Sequence, residues 1–264
     1  CIALGRPLFG AFRKRHDGTQ GKPHFPVYRS ARVLYIDTEL GPEGCYERIQ
    51  QFYPRYCTGL ELGDSLKFVT GEERPLLFHN PPGDSTKPYN NLDALLADQK
   101  PEVVVFDPLA QFHEVDENTS QMNLVLRRLK TLQARHGFAA ILLHHETDKE
   151  LFQEGRKVQK PDTTARSRGH SSITAWADTV FRVHRDDKDA PYSFVRLSWA
   201  KVRHGIKPKP FVCFVDFTRM LPVWVGHASG HITQMKDRFL TAYKEKYPLT
   251  TEDVTDEEIQ GLIP

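Results

Sequence analysis

The feature that most constrains this chain is a run of four consecutive apolar residues, Val103-Val104-Val105-Phe106, closed by Asp107. A strand with one wet face alternates apolar and polar residues, whereas an unbroken run marks a strand covered on both faces. Strands of that kind belong to parallel sheets clad by helices. A second segment of the same character is Arg32-Val33-Leu34-Tyr35-Ile36-Asp37, and Phe138 to Leu143 reads as a third buried strand.

The intervening segments supply the helices such a sheet needs. Gly41-Pro42-Glu43 opens a helix that runs to about Tyr53, because a proline in the first turn lacks only an amide hydrogen that has no partner there. Leu66 to Val69 is a strand, residues 71–91 are rich in Pro, Gly and Asn and read as a loop, and residues 92–98 form a brief helix. From Ser120 to His136, Met122, Val125, Leu126, Leu129 and Leu132 fall on one stripe, the pattern of a helix lying on a sheet. Repeated strand-helix-strand units of this size imply an α/β fold with a mainly parallel central sheet and flanking helices. After a polar stretch from Glu146 to His170 come three closely spaced strands, 178–184, 193–200 and 210–216. Turn signals at Asp186-Asp187-Lys188-Asp189 and His204-Gly205 make them antiparallel additions at the sheet edge.

Residues 1–225 thus read as one core. Residues 226–264 read as a small helical appendage or the start of a further domain, with a helix from Thr233 to Tyr243 and a second over 251–262. Residues 11–30, basic and rich in Gly and Pro, read as a loop.

A chain of 264 residues is long enough for one such core. Its 36 basic and 34 acidic residues leave a net charge of +2, so any nucleic-acid contact has to come from local clustering. No apolar run approaches the roughly 20 residues that cross a bilayer. The cysteines, Cys1, Cys45, Cys57 and Cys213, form no C-x-x-C pair, which suits a reducing compartment such as the cytoplasm. Cys1-Ile2-Ala3-Leu4 followed by Gly5-Arg6-Pro7 reads as the last turn of a helix and its stop, with further sequence expected upstream. Gly18-Thr19-Gln20-Gly21-Lys22-Pro23 only superficially suggests a phosphate-binding loop. The first glycine position holds His16 and the hydroxyl position Pro23, so it reads as surface loop.

The residues with chemical potential lie just beyond strand ends. Glu39 and Asp107 do so, and the carboxyl-terminal edge of a parallel sheet is where ligands bind. Two carboxylates there serve Mg²⁺ coordination and activation of water, or are simply acidic loop residues. His144-His145 ends the next strand. With Glu146 and Asp148 the pair suggests a metal site, a polar sensor of phosphate, or histidines satisfied by local hydrogen bonds. The loop from 146 to 170 carries Lys149, Arg156, Lys157, Lys160, Arg166 and Arg168, a density of donors able to follow a phosphate backbone. Glu146, Asp148, Glu150 and Glu154 dilute that reading toward a solvated loop. Lys201, Arg203 and His204 decorate a late strand exit, where cations reach a neighbouring subunit's phosphate or are surface charge.

Taken in order, these segments resemble the RecA-like core of hexameric replicative helicases and ATPases, especially the plasmid RepA type and more distantly DnaB. Val33 to Glu39 resembles that family's second core strand, whose terminal glutamate is the catalytic base. Val103 to Asp107 is similar to the Walker B strand with its Mg²⁺-associated aspartate, and Leu142-Leu143-His144-His145 to the strand ending in a paired-histidine sensor. Arg168-Gly169-His170-Ser171-Ser172-Ile173 resembles the Arg-Gly-Ser-Ser segment behind a mobile loop directed toward a central channel. Lys201-Val202-Arg203-His204-Gly205 resembles a Lys-x-Arg-Asn-Gly segment whose cations reach the γ-phosphate of the adjacent subunit, with His204 in place of Asn.

The resemblance covers residues 1–222. It implies a P-loop NTPase core using ATP and Mg²⁺, with Asp107 on the metal, Glu39 as base, His144 and His145 as sensor, and Lys201 and Arg203 acting in trans. The implied partners are single-stranded DNA, further copies of the chain in a hexameric ring, and replication proteins, with no membrane. It places the phosphate-binding loop upstream of Cys1. A RecA-like ATPase of recombination, repair or regulation, or a non-hydrolysing DNA-binding subunit, is the alternative.

Overall fold

A computed structural model describes residues 12–14, 20–23, 28–56, 63–70, 87–116, 120–145, 151–153, 156–158, 171–185, 192–216, 221–227 and 232–246. In chain order the strands are β1 (Phe12–Lys14), β2 (Gln20–Pro23), β3 (Val33–Asp37), β4 (Leu66–Thr70), β5 (Val103–Asp107), β6 (Ala139–Leu142), β7 (Leu151–Gln153), β8 (Arg156–Val158), β9 (Thr179–Arg185), β10 (Tyr192–Val202), β11 (Phe211–Asp216) and β12 (Leu221–His227). The helices are α1 (Pro42–Tyr56), α2 (Lys87–Gln99), α3 (Met122–His136), α4 (Ser171–Trp176) and α5 (Ile232–Lys246). They divide into two compact units, one spanning Arg29–Asp178 and the other running from Thr179 onward together with the β1-β2 hairpin.

In the first unit, β4-β3-β5-β6 form a parallel sheet in that order. Paired residues share a face, so the register sorts the apolar runs into two sets. Leu34, Ile36, Val104 and Phe106 point to one side, where Leu92 and Leu96 of α2 meet Met122, Val125, Leu126, Leu129 and Leu132 of α3. The predicted stripe of α3 is therefore the stripe that is buried. Val33, Tyr35, Val103 and Val105 point to the other side, against Leu66.

Cover on both faces, expected from unbroken apolarity, holds for β3 and β5. It fails for β6, where Ala140 and Leu142 pack on the core while Ala139 and Ile141 are exposed. As the last strand of the sheet, β6 has one face uncovered among the described residues. A short 3-10 turn, Leu109–Phe112, follows β5 and drives Leu109 and Phe112 into the core.

Gly137 ends α3 in the left-handed region at φ 73°, its amide bonding to the carbonyl of Gln133 at 2.8 Å. Glycine takes that conformation without the local backbone strain that a Cβ brings. The last turn before it ties α3 to α2. Arg135 Nη1 donates to Asp93 Oδ2 at 2.6 Å, and His136 Nε2 lies 2.7 Å from Asp93 Oδ1. The His136 hydrogen bond, with Arg135 adding to it, holds the Asp93 carboxyl below its ordinary range. A depressed folded-state pKa contributes stability above the unfolded value, lost as pH falls below about 3.9 and through the folded one. Asp93→Asn is expected to cost about 1 kcal/mol near neutral pH and little in strong acid, checked by urea denaturation across pH.

In the second unit, β12-β11-β10-β9 form an antiparallel sheet of their own. Val195, Leu197, Phe211 and Cys213 lie on one face. Phe194 and Phe214 lie on the other, where α5 packs with its Phe239 and Tyr243 rings 4.7 and 4.6 Å from that of Phe214. The Tyr243 hydroxyl donates to the buried Asp216 carboxylate, so the helix is tied as well as packed.

The α/β class with a mainly parallel sheet, antiparallel strands and flanking helices is what is observed, with β9 to β12 hydrogen-bonded into a sheet of their own rather than added to the edge of the parallel one. Several local readings change. Residues 11–30 contain the β1-β2 hairpin, with Phe12 opposite Pro23 and Lys14 opposite Gln20. The false phosphate-loop match therefore ends in a strand rather than a surface loop. The loop over 71–91 gives way to α2 at Lys87, because Lys-Pro opens a helix as Gly-Pro does at residue 42. The 146–170 stretch includes the short pair β7-β8. Neither α4 nor β12 was anticipated: α4 is only six residues long and β12 carries a proline, so each falls short of a periodic signal. The helix expected over 251–262 lies outside the described residues.

Candidate functional site

Two parallel strands in exact register end together, and that alignment builds the site. β3 and β5 pair from Val33 with Val103 through to Asp37 with Asp107, which sets two carboxylates side by side at the carboxyl-terminal edge. Asp37 is buried and its Oδ1 accepts the amides of Glu39 at 3.0 Å and Leu40 at 2.7 Å. This is an aspartate turn, which shapes the exit from β3 and so carries Glu39. Thr38 adds a clamp to the neighbouring strand, donating both its amide (3.0 Å) and its hydroxyl (3.1 Å) to the carbonyl of Asp107.

The next strand is tied in the same way. Leu143 donates its amide to the Phe106 carbonyl at 3.0 Å, and Leu109 donates to the Leu143 carbonyl at 2.8 Å, so the segment after β6 stays beside Asp107. From there His145 reaches Glu39, with Nε2 3.8 Å from Oε1 and side chains 63% and 51% exposed. A contact that wet adds little stability. What matters is the convergence of Glu39, Asp107 and His145 from three adjacent strand ends, while His144 beside them is half-buried.

The Asp107 carboxylate is asymmetric. Its Oδ2 accepts the hydroxyl of Tyr35, whereas Oδ1 has no hydrogen-bond partner among the described residues. Burial first, then this bond, pushes the Tyr35 pKa well up, so the phenol remains a neutral donor. Burial, followed by the charge of Asp37, likewise raises the Cys45 thiol. Among the described residues no three His, Cys, Asp or Glu side chains gather to hold a metal. Among those residues there is no all-protein metal cage, and Mg²⁺ seldom uses one. It takes one or two carboxylates and fills its remaining positions with water and phosphate oxygens, which fits an aspartate with one oxygen open.

Lys201 and Arg203 belong to the second unit, at and just beyond the end of β10. Trp199 pairs with Phe181 but Lys201 pairs with Val180, leaving Ala200 as an extra residue. This bulge breaks the alternation. Simple periodicity puts Lys201 on the face of Leu197 and Trp199, whereas the register turns it to the face of Ser198 and Arg182. Of the expected nucleic-acid residues, Arg156 and Lys157 lie in β8, opposite Gln153 and Phe152 of β7. Lys149, Lys160, Arg166 and Arg168 lie outside the described residues.

Residues 1–150, which include all three converging strand ends, match the family described as AAA domain. The chain belongs to the AAA domain family. Residues 1–150 are accordingly an AAA-type P-loop NTPase domain of the broad RecA-like ATPase superfamily, a class that binds nucleotide. No curated protein matches it. Within this AAA domain, the sequence alone pointed to Glu39, Asp107 and the histidines but not to Tyr35, Thr38 or Asp37. A polar-tipped Tyr35 two residues before Asp37, on the same face of an apolar strand, was the available signal.

Proposed function

We propose that this AAA domain is the motor core of a ring-type DNA helicase or translocase that hydrolyses ATP between subunits and moves on single-stranded DNA. The observation that carries the reading is the convergence of Glu39, Asp107 and His145 at one sheet edge within an NTPase domain. In this reading residues 1–225 are the ATPase core.

Asp107 Oδ1 would hold Mg²⁺, which when bound offsets charge on the phosphate oxygens. Glu39 accepts a proton from the attacking water as the new bond to the γ-phosphorus forms and the bond to the β-phosphate bridging oxygen breaks, leaving ADP and phosphate. Glu39 suits this task because its carboxylate is half exposed and water reaches it directly. His145, in contact with Glu39, and His144 sense whether the γ-phosphate is present. Lys201 and Arg203 enter the neighbouring subunit's site and stabilise charge in the transition state. The cations from Lys149 to Arg168 follow the DNA backbone, so nucleotide state and strand position become linked.

The test is ATP hydrolysis by the complete native protein with and without single-stranded DNA. Stimulation by DNA, followed by directional strand displacement, is expected. Hydrolysis indifferent to DNA would leave an ATPase of another role, and no hydrolysis would remove the motor reading. Mixing Arg203→Ala with Glu39→Gln subunits should restore part of the activity absent from either variant alone. No recovery, with subunit exchange verified, would count against action across the interface.

A further inference from the structure

We infer that Tyr35 is a positioning residue that confines Asp107 to binding a metal through a single oxygen, and so favours Mg²⁺ over Ca²⁺. The inference rests on Asp107 being the metal-bearing carboxylate of the proposed site. A carboxylate free to turn offers a cation either one oxygen or both. Here the Tyr35 hydroxyl occupies Oδ2 and leaves Oδ1.

The phenol is itself well fixed. Its backbone lies between β4 and β5 in the sheet, and its ring packs against Phe68 with centroids 5.5 Å apart. Thr38 anchors the Asp107 main chain through two bonds to the carbonyl, so the hydroxyl acts on a carboxylate whose base cannot drift. The chemical consequence follows from ion size. Mg²⁺ demands near-octahedral geometry and takes carboxylates one oxygen at a time, whereas the larger Ca²⁺ readily accepts both. Occupying Oδ2 therefore disfavours the two-oxygen binding that Ca²⁺ accepts, and it orients Oδ1 for the one-oxygen binding that Mg²⁺ requires. Outer groups that orient a metal ligand commonly change metal affinity by about 10- to 100-fold.

The experiment uses Mn²⁺ bound to the complete native protein with ADP, followed by electron paramagnetic resonance and displaced by Mg²⁺ or Ca²⁺. In Tyr35→Phe, which keeps the ring and removes the hydroxyl, Mg²⁺ affinity should fall about 10-fold while Ca²⁺ affinity holds or rises. Tyr35→Met, also lacking the donor, should shift the ratio the same way, whereas a purely structural role would weaken both ions alike. An unchanged Mg²⁺ to Ca²⁺ ratio in folded Tyr35 variants, with metal binding abolished in Asp107→Asn, would overturn the role of Tyr35 alone. Metal binding that survives intact in Asp107→Asn would overturn the assignment of Asp107 and this inference with it.

Discussion

Glu39→Gln should lower the rate of ATP hydrolysis by about 100- to 10,000-fold while leaving nucleotide binding intact, the span a lost general base produces. The amide preserves the shape of the side chain and its place above the Asp37 turn, because Asp37 holds the backbone amides of residues 39 and 40 rather than the Glu39 carboxylate. What the substitution removes is the ability to take a proton. The contact with His145 is too exposed for its loss to unsettle the fold. Single-turnover hydrolysis, measured beside binding of a fluorescent nucleotide, separates the two effects. Normal turnover with normal binding would show that Glu39 is not the base, and weakened binding with normal chemistry would make it a binding residue.

The largest stability effect is expected from Phe106→Ala, at about 3–5 kcal/mol. Phe106 is fully buried at the centre of the parallel sheet, with its ring edge-on to Phe112 at 5.1 Å and tilted against Phe138 at 6.5 Å. These neighbours come from the turn after the strand and the segment leading into β6, so the cavity has no single mobile wall to collapse it. Against a total stability of about 5–15 kcal/mol, such a loss is enough to leave much of the chain unfolded. Urea denaturation is the measurement, with Phe68→Ala as comparison. Phe68 is 37% exposed on β4, so its truncation should cost far less. Similar losses at both positions would mean that the first unit does not have its core where these contacts place it.

The same residues explain how much was legible beforehand. Val103 to Phe106, Val33 to Ile36 and the stripe of α3 are strings of apolar side chains whose spacing is itself the signal, and burial follows locally from it. The ends of those strings were equally plain, which is why Glu39 and Asp107 could be singled out. Shorter or mixed segments gave less. β1, β2, β7 and β8 have three or four residues each, too few for a period to show, and their existence depends on pairing with a partner strand. β6 misled for a related reason: its apolar residues satisfy the pattern of a buried strand, but whether both faces are covered depends on what else reaches them.

By itself, then, the sequence determined the α/β class, the central strands and the acidic residues at their ends, because side-chain period and strand length are local properties. Tertiary structure decided which of those ends meet. The in-step pairing of β3 with β5 sets Asp37 beside Asp107, and the bonds of Leu143 and Leu109 keep the His145 segment at the same edge. It also decided that Tyr35 occupies one oxygen of Asp107 and that the bulge at Ala200 turns Lys201 to the opposite face. Register and bulges arise from hydrogen bonds between segments far apart in the chain, and a period read along one segment carries no record of them.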